Sequence, residues 1–382
     1  MSAKHDFFYR FFRPLATLFV KLKFGYKYEK AKGLPEKYIV LSNHVTDYDL
    51  VFVAASFPRP MYFFGSEHIA RWKRLYAFLK FCFDPIMRPK GASAAASVMA
   101  VLRRVRGGAS VCIFPEGVRS WDGEPCPIPP STAALVKGAK CGLVTYKIEG
   151  GYFASPMWSK KTRRGAVRGA PVRVYTADEL AAMTNDEVYA AIVRDLSVSA
   201  YDAQLAAPKR YASRHLAEGL ENLVFICPDC GARDSFSSEG DTARCKKCSC
   251  EIKYDEYGML SGTHFDTVRA LSDWQKERVA YDAASGAEYT AESASLFSID
   301  TEHNVTPVCT GKVRLNATEL SVGDFCVSTD EIKGFSMRGK RAILFTANKG
   351  YYEIIPDEGC NSLKFYLFYE ACCVTHEDER KV

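Results

Sequence analysis

The chain has 382 residues, of which 47% are hydrophobic and 25% charged, so its composition is that of a globular protein rather than a disordered one. This length is long for a single domain, and we expect two or three. The formal net charge is +6, and residues 1–32 alone hold an excess of six positive charges. Positive charge gathered near the N-terminus favours contact with an anionic surface.

Two further features limit where the protein works. No run of 18 or more apolar residues is present, which predicts that no helix spans a membrane, and the N-terminus lacks the pattern of a signal peptide. Fourteen cysteines in such a chain indicate reduced thiols and a metal site rather than disulfides. We therefore expect a peripheral protein on the cytoplasmic face of a membrane.

The first predicted element is an amphipathic helix over residues 6–24. Its apolar residues recur at helical spacing and are Phe7, Phe8, Phe11, Phe12, Leu15, Leu18, Phe19 and Leu22. Arg10, Arg13 and Lys21 fall on the other side, and Pro14 is expected to kink the helix or split it in two. Aromatic residues opposed by basic ones suit a helix lying in the lipid headgroup layer. The alternative is that this apolar face packs on the protein's own core.

Strands and helices then alternate along the chain. The predicted strands are residues 38–42, 111–114 and 143–148, with a strand-like turn at residues 83–88, and the predicted helices are residues 66–82, 93–106 and 132–141. A capping box at Thr184–Glu187 opens a further helix that extends to about Leu196. This alternation predicts an α/β fold, an αβα sandwich with a mainly parallel central sheet. Open sheets of this kind bind ligands beyond the carboxyl ends of their strands, where two polar motifs lie.

The first motif, Asn43-His-Val-Thr-Asp-Tyr-Asp49, follows the strand at residues 38–42. A neutral histidine is a usable base near pH 7, and a carboxylate orients its ring and stabilises the imidazolium. Asp49 reaches back to His44 if the intervening residues turn, and Asp47 is the competing partner. No serine-nucleophile motif lies nearby, so the base acts most simply on a substrate hydroxyl. A lone histidine is more often structural, and the second motif is what shifts that balance.

The second motif, Phe114-Pro-Glu-Gly-Val-Arg-Ser120, also follows an apolar strand. Pro115 ends the strand, and Gly117 allows close approach of the backbone. Arg119 is able to grip a phosphate with two parallel hydrogen bonds, and Glu116 to accept one from a neighbouring hydroxyl. The alternative is an ordinary strand-ending turn. Together the two motifs indicate a base that activates a hydroxyl, beside a pocket for an anionic, phosphorylated acceptor.

These motifs resemble those of the glycerolipid acyltransferases, the family that contains the 1-acylglycerol-3-phosphate acyltransferases. His44 with Asp49 is similar to the family's motif of histidine, four residues and aspartate, and residues 114–120 are similar to its acceptor-binding motif, in the same order and spacing. Arg88 stands at the family's second motif. The resemblance covers roughly residues 5–215.

Two positions are less similar to the family. Leu143–Ile148, with Pro156 farther on, is a loose match to the fourth motif, an apolar strand with a proline. Thr46 stands where the family often has serine. The cysteine-rich and C-terminal segments lie outside the family core, which leaves the identity of the acceptor more open.

The resemblance implies an O-acyltransferase reaction. His44 takes the proton of the acceptor hydroxyl while Asp49 orients the ring, and the oxygen attacks the thioester of acyl-CoA or acyl-carrier protein. The residues implied for acceptor binding are Arg88, Glu116, Gly117 and Arg119. The expected acceptor is 1-acylglycerol-3-phosphate, which gives phosphatidate. The alternatives are another lysolipid, glycerol-3-phosphate, or a non-catalytic membrane-lipid-binding scaffold.

Four cysteines in two pairs predict a zinc ribbon within residues 222–260. Fourteen residues separate Cys227-Pro-Asp-Cys230 from Cys245-Lys-Lys-Cys248, which is the spacing of a tetrahedral zinc site. Four thiolates leave no open coordination position, so we expect structural zinc and not a zinc hydrolase. Cys250 is a spare thiol that complicates the ligand assignment. The competing interpretation is a redox dithiol, although no βαβ context surrounds either pair.

The ribbon also raises the alternative of a nucleic-acid-binding protein. The basic excess lies far from the ribbon in sequence, and the ribbon itself contains Asp229, Asp234, Glu239 and Asp241. We therefore expect no nucleic-acid partner. The expected partners are an anionic membrane surface bound through the basic N-terminal helix, a lysophospholipid and, as one of the two donors, acyl-carrier protein.

Residues 286–382 alternate in the manner of strands. The clearest predicted strands are residues 311–317, 319–322, 342–346 and 351–355, separated by turn residues. Residues 362–373 then form one amphipathic helix. Antiparallel strands closed by a C-terminal helix predict a small barrel that resembles pleckstrin-homology-like domains in shape. The predicted domains are an acyltransferase domain at 1–221, the ribbon at 222–260 and this β-rich domain at 286–382.

Overall fold

The computed structural model describes residues 3–66, 71–88, 94–348 and 350–379. The chain forms two compact units. The first comprises Met1–Met157 and Thr162–Ser213, and the second comprises Trp158–Lys161 and Arg214–Val382. The second unit holds both the cysteine-rich and the β-rich segment. The division into three domains remains a prediction.

Helices and strands alternate in the first unit, as predicted. In chain order they are α1 (Ala3–Phe24), β1 (Lys27–Tyr28), β2 (Tyr38–Ser42), α2 (Asp49–Ser56), β3 (Met61–Ser66), α3 (Lys73–Phe83), β4 (Ile86–Arg88), α4 (Ala94–Arg106), β5 (Ser110–Ile113), α5 (Ser131–Ala139), β6 (Gly142–Glu149), α6 (Gly151–Ala154), β7 (Arg168–Tyr175), α7 (Ala177–Ala182), α8 (Asn185–Leu196) and α9 (Ala200–Ala206). Residues 67–70 and 93, which the sequence assigned to helices, lie outside the described residues.

The seven strands of this unit form one sheet in the order β1-β7-β6-β2-β5-β3-β4. Strand β2 pairs in parallel with both β5 and β6, whereas β7 pairs antiparallel with β6 and parallel with β1. All five residues of β2 are buried, as expected of a parallel strand covered on both faces. Ile39 and Leu41 contact the core formed with α4, α5 and α8, whereas Tyr38 faces Phe57 after α2. The prediction of a mixed α/β fold with a mainly parallel sheet is confirmed.

Local signals fix several helix ends. Thr184 and Glu187 exchange the two hydrogen bonds of a capping box at the start of α8, where the sequence placed one. Helix α4 ends before Gly107 and Gly108, and Gly108 has a φ of +81° that favours glycine. Helix α1 is not split at Pro14 and is continuous from Ala3 to Phe24.

Helix α1 turns inward a face that the sequence did not single out. Its buried residues are His5, Tyr9, Val20 and Phe24. Six of the eight apolar residues on the predicted face are exposed, by 49–63%: Phe7, Phe11, Leu15, Leu18, Phe19 and Leu22. The other two, Phe8 and Phe12, are half-buried and contact the Phe81 and Phe78 rings of α3. These six residues therefore do not pack on the protein's own core, which was the alternative to a membrane-facing helix.

The second unit contains mostly antiparallel strands. Its elements are a 3₁₀ turn (Leu220–Asn222), β8 (Phe236–Glu239), β9 (Thr242–Cys245), β10 (Glu251–Tyr254), β11 (Leu260–Ser261), α10 (Val268–Ala284), β12 (Tyr289–Ile299), β13 (Val305–Leu315), β14 (Glu319–Val322), β15 (Phe325–Ser328), a second 3₁₀ turn (Thr329–Glu331), β16 (Lys333–Arg338), β17 (Ala342–Ala347), β18 (Gly350–Pro356) and α11 (Leu363–Glu379). Helix α10 has no counterpart among the predicted elements.

Two sheets organise this unit. The small one has the order β11-β10-β9-β8, and the large one has the order β15-β14-β13-β12-β18-β17-β16. Phe365 and Phe368 of α11 pack in the core of the large sheet, and Phe225 and Ile226, which precede the first cysteine pair, belong to the same core. Buried Gln275 of α10 accepts hydrogen bonds from the backbone N–H groups of Phe225 and Ile226 at 2.9 and 3.1 Å. The cysteine-rich segment is thus tied to the larger β-rich core.

Candidate functional site

His44 and Asp49 form a hydrogen-bonded pair at the carboxyl end of β2. His44 follows the strand, Asp49 is the first residue of α2, and Nδ1 of His44 lies 2.7 Å from Oδ2 of Asp49. The Asp49 side chain is 1% exposed and that of His44 25%. Because an ionised carboxylate only accepts hydrogen bonds, Nδ1 carries the proton and Nε2 is left as the basic nitrogen. The pair therefore has the arrangement of a general base with its orienting carboxylate.

The Asp49 carboxylate also holds the loop that leads to it. It accepts hydrogen bonds from the backbone N–H groups of Val45 and Thr46 at 2.7 and 3.0 Å, and from the Thr46 hydroxyl at 2.6 Å. The Thr46 hydroxyl in turn accepts from the N–H of Tyr48. Thr46, which the sequence marked only as a departure from serine, therefore supplies the hydroxyl that fixes the carboxylate.

Asp47 is not the partner of His44. Its carboxylate instead lies 3.2 Å from a guanidinium nitrogen of Arg119, and it is 72% exposed whereas Arg119 is 14% exposed. Of the two carboxylates that the sequence left open, Asp49 is the one within hydrogen-bond distance of the imidazole. The ion pair also places Arg119 of the second motif against the loop of the first.

Glu116 links the two motifs through the backbone. Its Oε1 accepts the N–H of His44 and its Oε2 the N–H of Cys126, both at 2.9 Å. Burial raises the pKa of the Glu116 carboxyl to about 7, although both N–H donors act in the opposite direction. The sequence suggested that Glu116 accepts a hydrogen bond from a neighbouring hydroxyl, and in the structure its two oxygens accept from backbone N–H groups, one of them that of His44.

The second motif turns sharply at Gly117. This residue has a φ of +70°, and its N–H donates to the carbonyl of Phe114 at 3.1 Å. Glycine suits this position because an L side chain strains a left-handed backbone. The ring of Phe114 stacks on that of His44, with centroids 4.8 Å apart. Arg88 is the last residue of β4, and the structure describes it through its backbone alone.

Asn43 is a further residue of the site that the sequence did not assign. Its amide exchanges two hydrogen bonds with the backbone of Ile148 in β6, at 2.9 and 2.8 Å. The side chain is almost fully buried. These bonds fix the end of β2, and hence His44, to the neighbouring strand. The sequence signal that could have identified Asn43 is a polar residue directly after an apolar strand.

An apolar cavity of about 200 Å³ lies beside the first motif. It is enclosed by side chains from α1, α2, β3 and α3, and its lining includes Tyr9, Phe12, Leu50, Val51, Ala54, Met61, Phe63 and Leu79. Leu50 and Val51 directly follow Asp49 in α2. The cavity is therefore adjacent to the histidine–aspartate pair.

The four predicted cysteine ligands come together in the second unit. The sulfur atoms of Cys227, Cys230, Cys245 and Cys248 all lie within 4.8 Å of one another. The distances from Cys227 to Cys248 and from Cys230 to Cys245 are 3.6 and 3.9 Å. Tetrahedral zinc with bonds of about 2.3 Å places its sulfur ligands about 3.8 Å apart. The cluster fits zinc, and Cys250 is not a member of it.

Each cysteine pair ends in the same kind of turn. Gly231 follows the first pair with a φ of +70°, and Ser249 follows the second with a φ of +61°. The N–H of Gly231 donates to the carbonyl of Cys227, and that of Ser249 to the carbonyl of Cys245. The two loops thus present their sulfur atoms in the same way, as two halves of one four-cysteine cluster.

Comparison with known proteins relates part of the first unit to a known family. Residues 26–149 match the family model described as Acyltransferase, and this range contains both motifs. None of the curated proteins matches the chain. Among solved structures, the chain is similar to the 1-acyl-sn-glycerophosphate (LPA) acyltransferase PlsC from Thermotoga maritima, with 15% identity, a TM-score of 0.42, and coverage of 54% of this chain and 83% of that one.

Proposed function

Because residues 26–149 belong to the acyltransferase family, we propose that the first unit moves a fatty acyl group from a thioester donor to the hydroxyl of 1-acylglycerol-3-phosphate, giving phosphatidate. The observation that carries the proposal is the His44–Asp49 pair at 2.7 Å, with Arg119 held against the same loop. The pair supplies a base for the hydroxyl, and Arg119 supplies a cation for the phosphate.

The proposed reaction is one acyl transfer without an acyl-enzyme. Nε2 of His44 takes the proton of the acceptor hydroxyl as its oxygen attacks the thioester carbonyl, and Asp49 stabilises the imidazolium that forms. When the tetrahedral intermediate collapses, the carbon–sulfur bond breaks and the thiolate leaves. His44 returns the proton to the thiolate, which regenerates the base and releases the free thiol.

Arg119 is the proposed ligand of the acceptor phosphate. Its present partner, Asp47, is mostly exposed, and exposed ion pairs contribute little free energy. A phosphate is therefore able to displace Asp47 and to accept two parallel hydrogen bonds from the guanidinium. Arg88 is proposed as a second phosphate ligand on the resemblance to the family. Gly117 is proposed to shape the acceptor pocket. Glu116 is proposed to fix the backbone around that pocket through its hydrogen bonds with the N–H groups of His44 and Cys126.

The proposal predicts that thiol release from palmitoyl-CoA depends on lysophosphatidate. In Arg119→Gln, we expect KM for lysophosphatidate to rise by about 10–100-fold, because hydrogen bonds to charged groups contribute about 1.5–3 kcal/mol. Monoacylglycerol has the same hydroxyl without the phosphate and is the matched acceptor, for which the variant should change nothing. Thiol release is measured in both cases.

Two outcomes would count against this assignment. A wild-type rate that is equal with lysophosphatidate and with lysophosphatidylcholine would remove the preference for a phosphate monoester. An equal loss of activity toward lysophosphatidate and monoacylglycerol in Arg119→Gln would show that the arginine maintains the site rather than binding the phosphate. Arg119→Lys, which keeps the charge without the paired donors, should lie between wild type and Arg119→Gln.

The apolar cavity is the proposed place of a fatty acyl chain. Its lining is almost entirely apolar, and it begins at Leu50 and Val51, next to the orienting carboxylate. An acyl chain in this cavity places its carboxyl-derived carbon toward His44.

An apolar surface on α1 and α3 is proposed to bind the membrane. We define it by the exposed residues Phe7, Phe11, Leu15, Leu18 and Leu22 of α1 together with Trp72, Leu75, Phe78 and Phe81 at α3. Contiguous exposed apolar groups of this kind mark interaction sites. Lys4 lies over the ring of Phe81 at 3.9 Å, which places a cation at the surface. Within the described ranges, no helix is both long and apolar enough to cross a bilayer, so the proposed mode is peripheral.

Vesicle binding tests this surface. We expect the triple variant Phe11→Ser, Leu15→Ser and Leu18→Ser to partition onto phosphatidylglycerol vesicles roughly 100-fold more weakly, because each residue loses on the order of 1 kcal/mol of apolar burial. The matched control is Val172→Ser, Val193→Ser and Leu205→Ser, whose side chains are exposed elsewhere in the first unit. Equal binding by the two triple variants in a sedimentation assay would refute the assignment. Preference for DNA over vesicles would favour the nucleic-acid alternative.

The large sheet of the second unit is proposed to be a pleckstrin-homology-like module. Counted from β12, its seven strands have the spatial order 4-3-2-1-7-6-5, and α11 packs on their core. The antiparallel sheet with α11 on its core supports the small barrel with a C-terminal helix that the sequence led us to expect. The four-cysteine cluster is proposed to bind structural zinc and to stabilise this unit.

A further inference from the structure

A groove of about 650 Å³ lies beside the first motif, and the proposed reaction does not yet use it. It is lined by Val45, which follows the base, by Gly123 after the second motif, by the end of β6 and the start of β7, and by residues of α6 and α9. Gly151 of α6 approaches so closely that a Cβ there would lie 2.5 Å from Cγ2 of Val45. The groove is therefore continuous with the loop that carries His44, and its volume is that of a small-molecule site.

The groove and the apolar cavity lie on opposite sides of β2. In the sheet order β1-β7-β6-β2-β5-β3-β4, strands β6 and β7 border the groove, and strand β3 borders the cavity. His44 follows β2, between them. A thioester at His44 has two ends that leave in different directions, an apolar acyl chain and a polar arm. If the chain occupies the cavity, the groove is the path that remains for the polar arm.

The charges at the groove suit a phosphate. Lys27 and Lys209 line it and are exposed, and among the described residues neither ammonium group has an ion-pair partner. Arg168 and Glu29 also line the groove, but they pair with each other. Glu149 is the remaining carboxylate. The surplus is positive, which favours an anionic ligand.

The segment that carries Lys209 is fixed in place. Gln204 is 3% exposed, its Oε1 accepts the N–H of Lys209 at 3.1 Å, and its Nε2 donates to the carbonyl of Lys209 at 2.6 Å. A buried amide that forms two hydrogen bonds to one backbone position holds that position firmly. The backbone of Lys209 is therefore held in a fixed position at the edge of the groove.

We propose that this groove binds the phosphopantetheine arm of the acyl donor, with its phosphate near Lys27 and Lys209. The arm is common to acyl-CoA and acyl-carrier protein, and its two amides and its hydroxyl suit a groove whose lining includes Gly123, Gly150 and Gly165, where no side chain covers the backbone. This inference rests on the proposed acyl transfer and extends it to the donor. Binding in the groove leads the thioester sulfur past Val45 to His44, while the acyl chain points to the opposite cavity.

Charge reversal at the two lysines tests the proposal. In the double variant Lys27→Glu and Lys209→Glu, KM for palmitoyl-CoA should rise at least tenfold, with kcat and KM for lysophosphatidate unchanged. The matched control is Arg106→Glu with Lys140→Glu, which makes the same change in net charge at exposed residues near the amino ends of β5 and β6. With decanoyl-N-acetylcysteamine, a thioester that lacks the phosphate, both double variants should match wild type. A rise in KM for lysophosphatidate instead of the donor would overturn the assignment.

Calorimetry separates this inference from the proposed function. Wild type should bind 4′-phosphopantetheine more tightly than pantetheine, and Lys27→Glu with Lys209→Glu should abolish that difference. Tight binding without acyl transfer would refute the function and leave the groove assignment standing, whereas transfer with an unchanged donor KM in the double variant would refute the groove. Parallel assays with palmitoyl-CoA and palmitoyl-acyl-carrier protein identify the source of the arm, since the true donor gives turnover that is sensitive to the two lysines.

Discussion

Replacing His44 with alanine is expected to lower kcat for acyl transfer from palmitoyl-CoA to lysophosphatidate by about 10²–10⁴-fold, which is the usual contribution of a general base. The imidazole is the basic group that Asp49 orients, at 2.7 Å, and its removal leaves the acceptor hydroxyl without a positioned proton acceptor. The measurement is thiol release under saturating acceptor, with product identified as phosphatidate. Both substrates should bind with little change.

The fold should survive this substitution. A quarter of the His44 side chain is exposed, and the loop is held by the bonds from Asp49 to Val45 and Thr46, which alanine leaves in place. The matched control is His215→Ala, since His215 forms a similar pair with Glu218 at 2.6 Å in the second unit. The control should keep full activity. A His44→Ala protein that turns over near the wild-type rate would refute the mechanism and favour the non-catalytic scaffold.

The sequence predicted those features of the fold that depend on local patterns. Continuous apolar runs predicted the buried parallel strands, and a capping box predicted the start of α8. The two cysteine pairs predicted the cluster because the ligand spacing within each pair is local. Helix α10 was missed because two of its five buried residues, Ser272 and Gln275, are polar, which weakens the hydrophobic periodicity of the helix.

The contacts that build the active site were less predictable because they join distant parts of the chain. The bonds from Glu116 to His44 and from Asn43 to Ile148 span 72 and 105 residues. No local pattern indicates that the Glu116 carboxylate accepts the backbone N–H of His44. Asp47 and Asp49 are both close enough to His44 in sequence, and only the turn through Thr46 decides between them. Sequence therefore indicated the chemical groups, and tertiary structure assigned their partners.

Helix α1 shows a different limit of prediction from sequence. Apolar residues occupy most of its circumference, so periodicity alone does not say which face meets the core. The buried set of His5, Tyr9, Val20 and Phe24 includes a histidine that stacks on Tyr62 with ring centroids 4.2 Å apart. Burial lowers the pKa of His5 to about 4, so a neutral imidazole is compatible with this interior position. A pattern of hydrophobicity cannot identify an aromatic contact of this kind, and the sequence therefore did not single out the residues of the inner face.

Loss of the zinc ligands is expected to destabilise the second unit severely. Structural zinc sites of four thiolates contribute about 10–16 kcal/mol of apparent binding free energy, which is comparable with the entire stability of a typical domain, about 5–15 kcal/mol. Phe225 and Ile226 precede Cys227 and pack in the core of the large sheet, and Gln275 holds their backbone. Disorder of the ribbon therefore withdraws two side chains from that core. We expect one zinc per chain by elemental analysis, and a large loss of protection in hydrogen exchange over residues 224–260 in Cys230→Ser or after chelation.

Two cysteine variants make this prediction specific to the cluster. Cys250→Ala removes a buried thiol next to the second pair, and Cys326→Ser alters an exposed thiol of β15 in the same unit. Since neither residue belongs to the cluster, both variants should retain one zinc per chain, whereas Cys230→Ser should lose it. Loss of zinc in Cys250→Ala but not in Cys230→Ser would move the ligand assignment to Cys250. A protein that contains no zinc as isolated, and whose exchange pattern chelators do not change, would show that hydrogen bonds and apolar packing alone hold this segment.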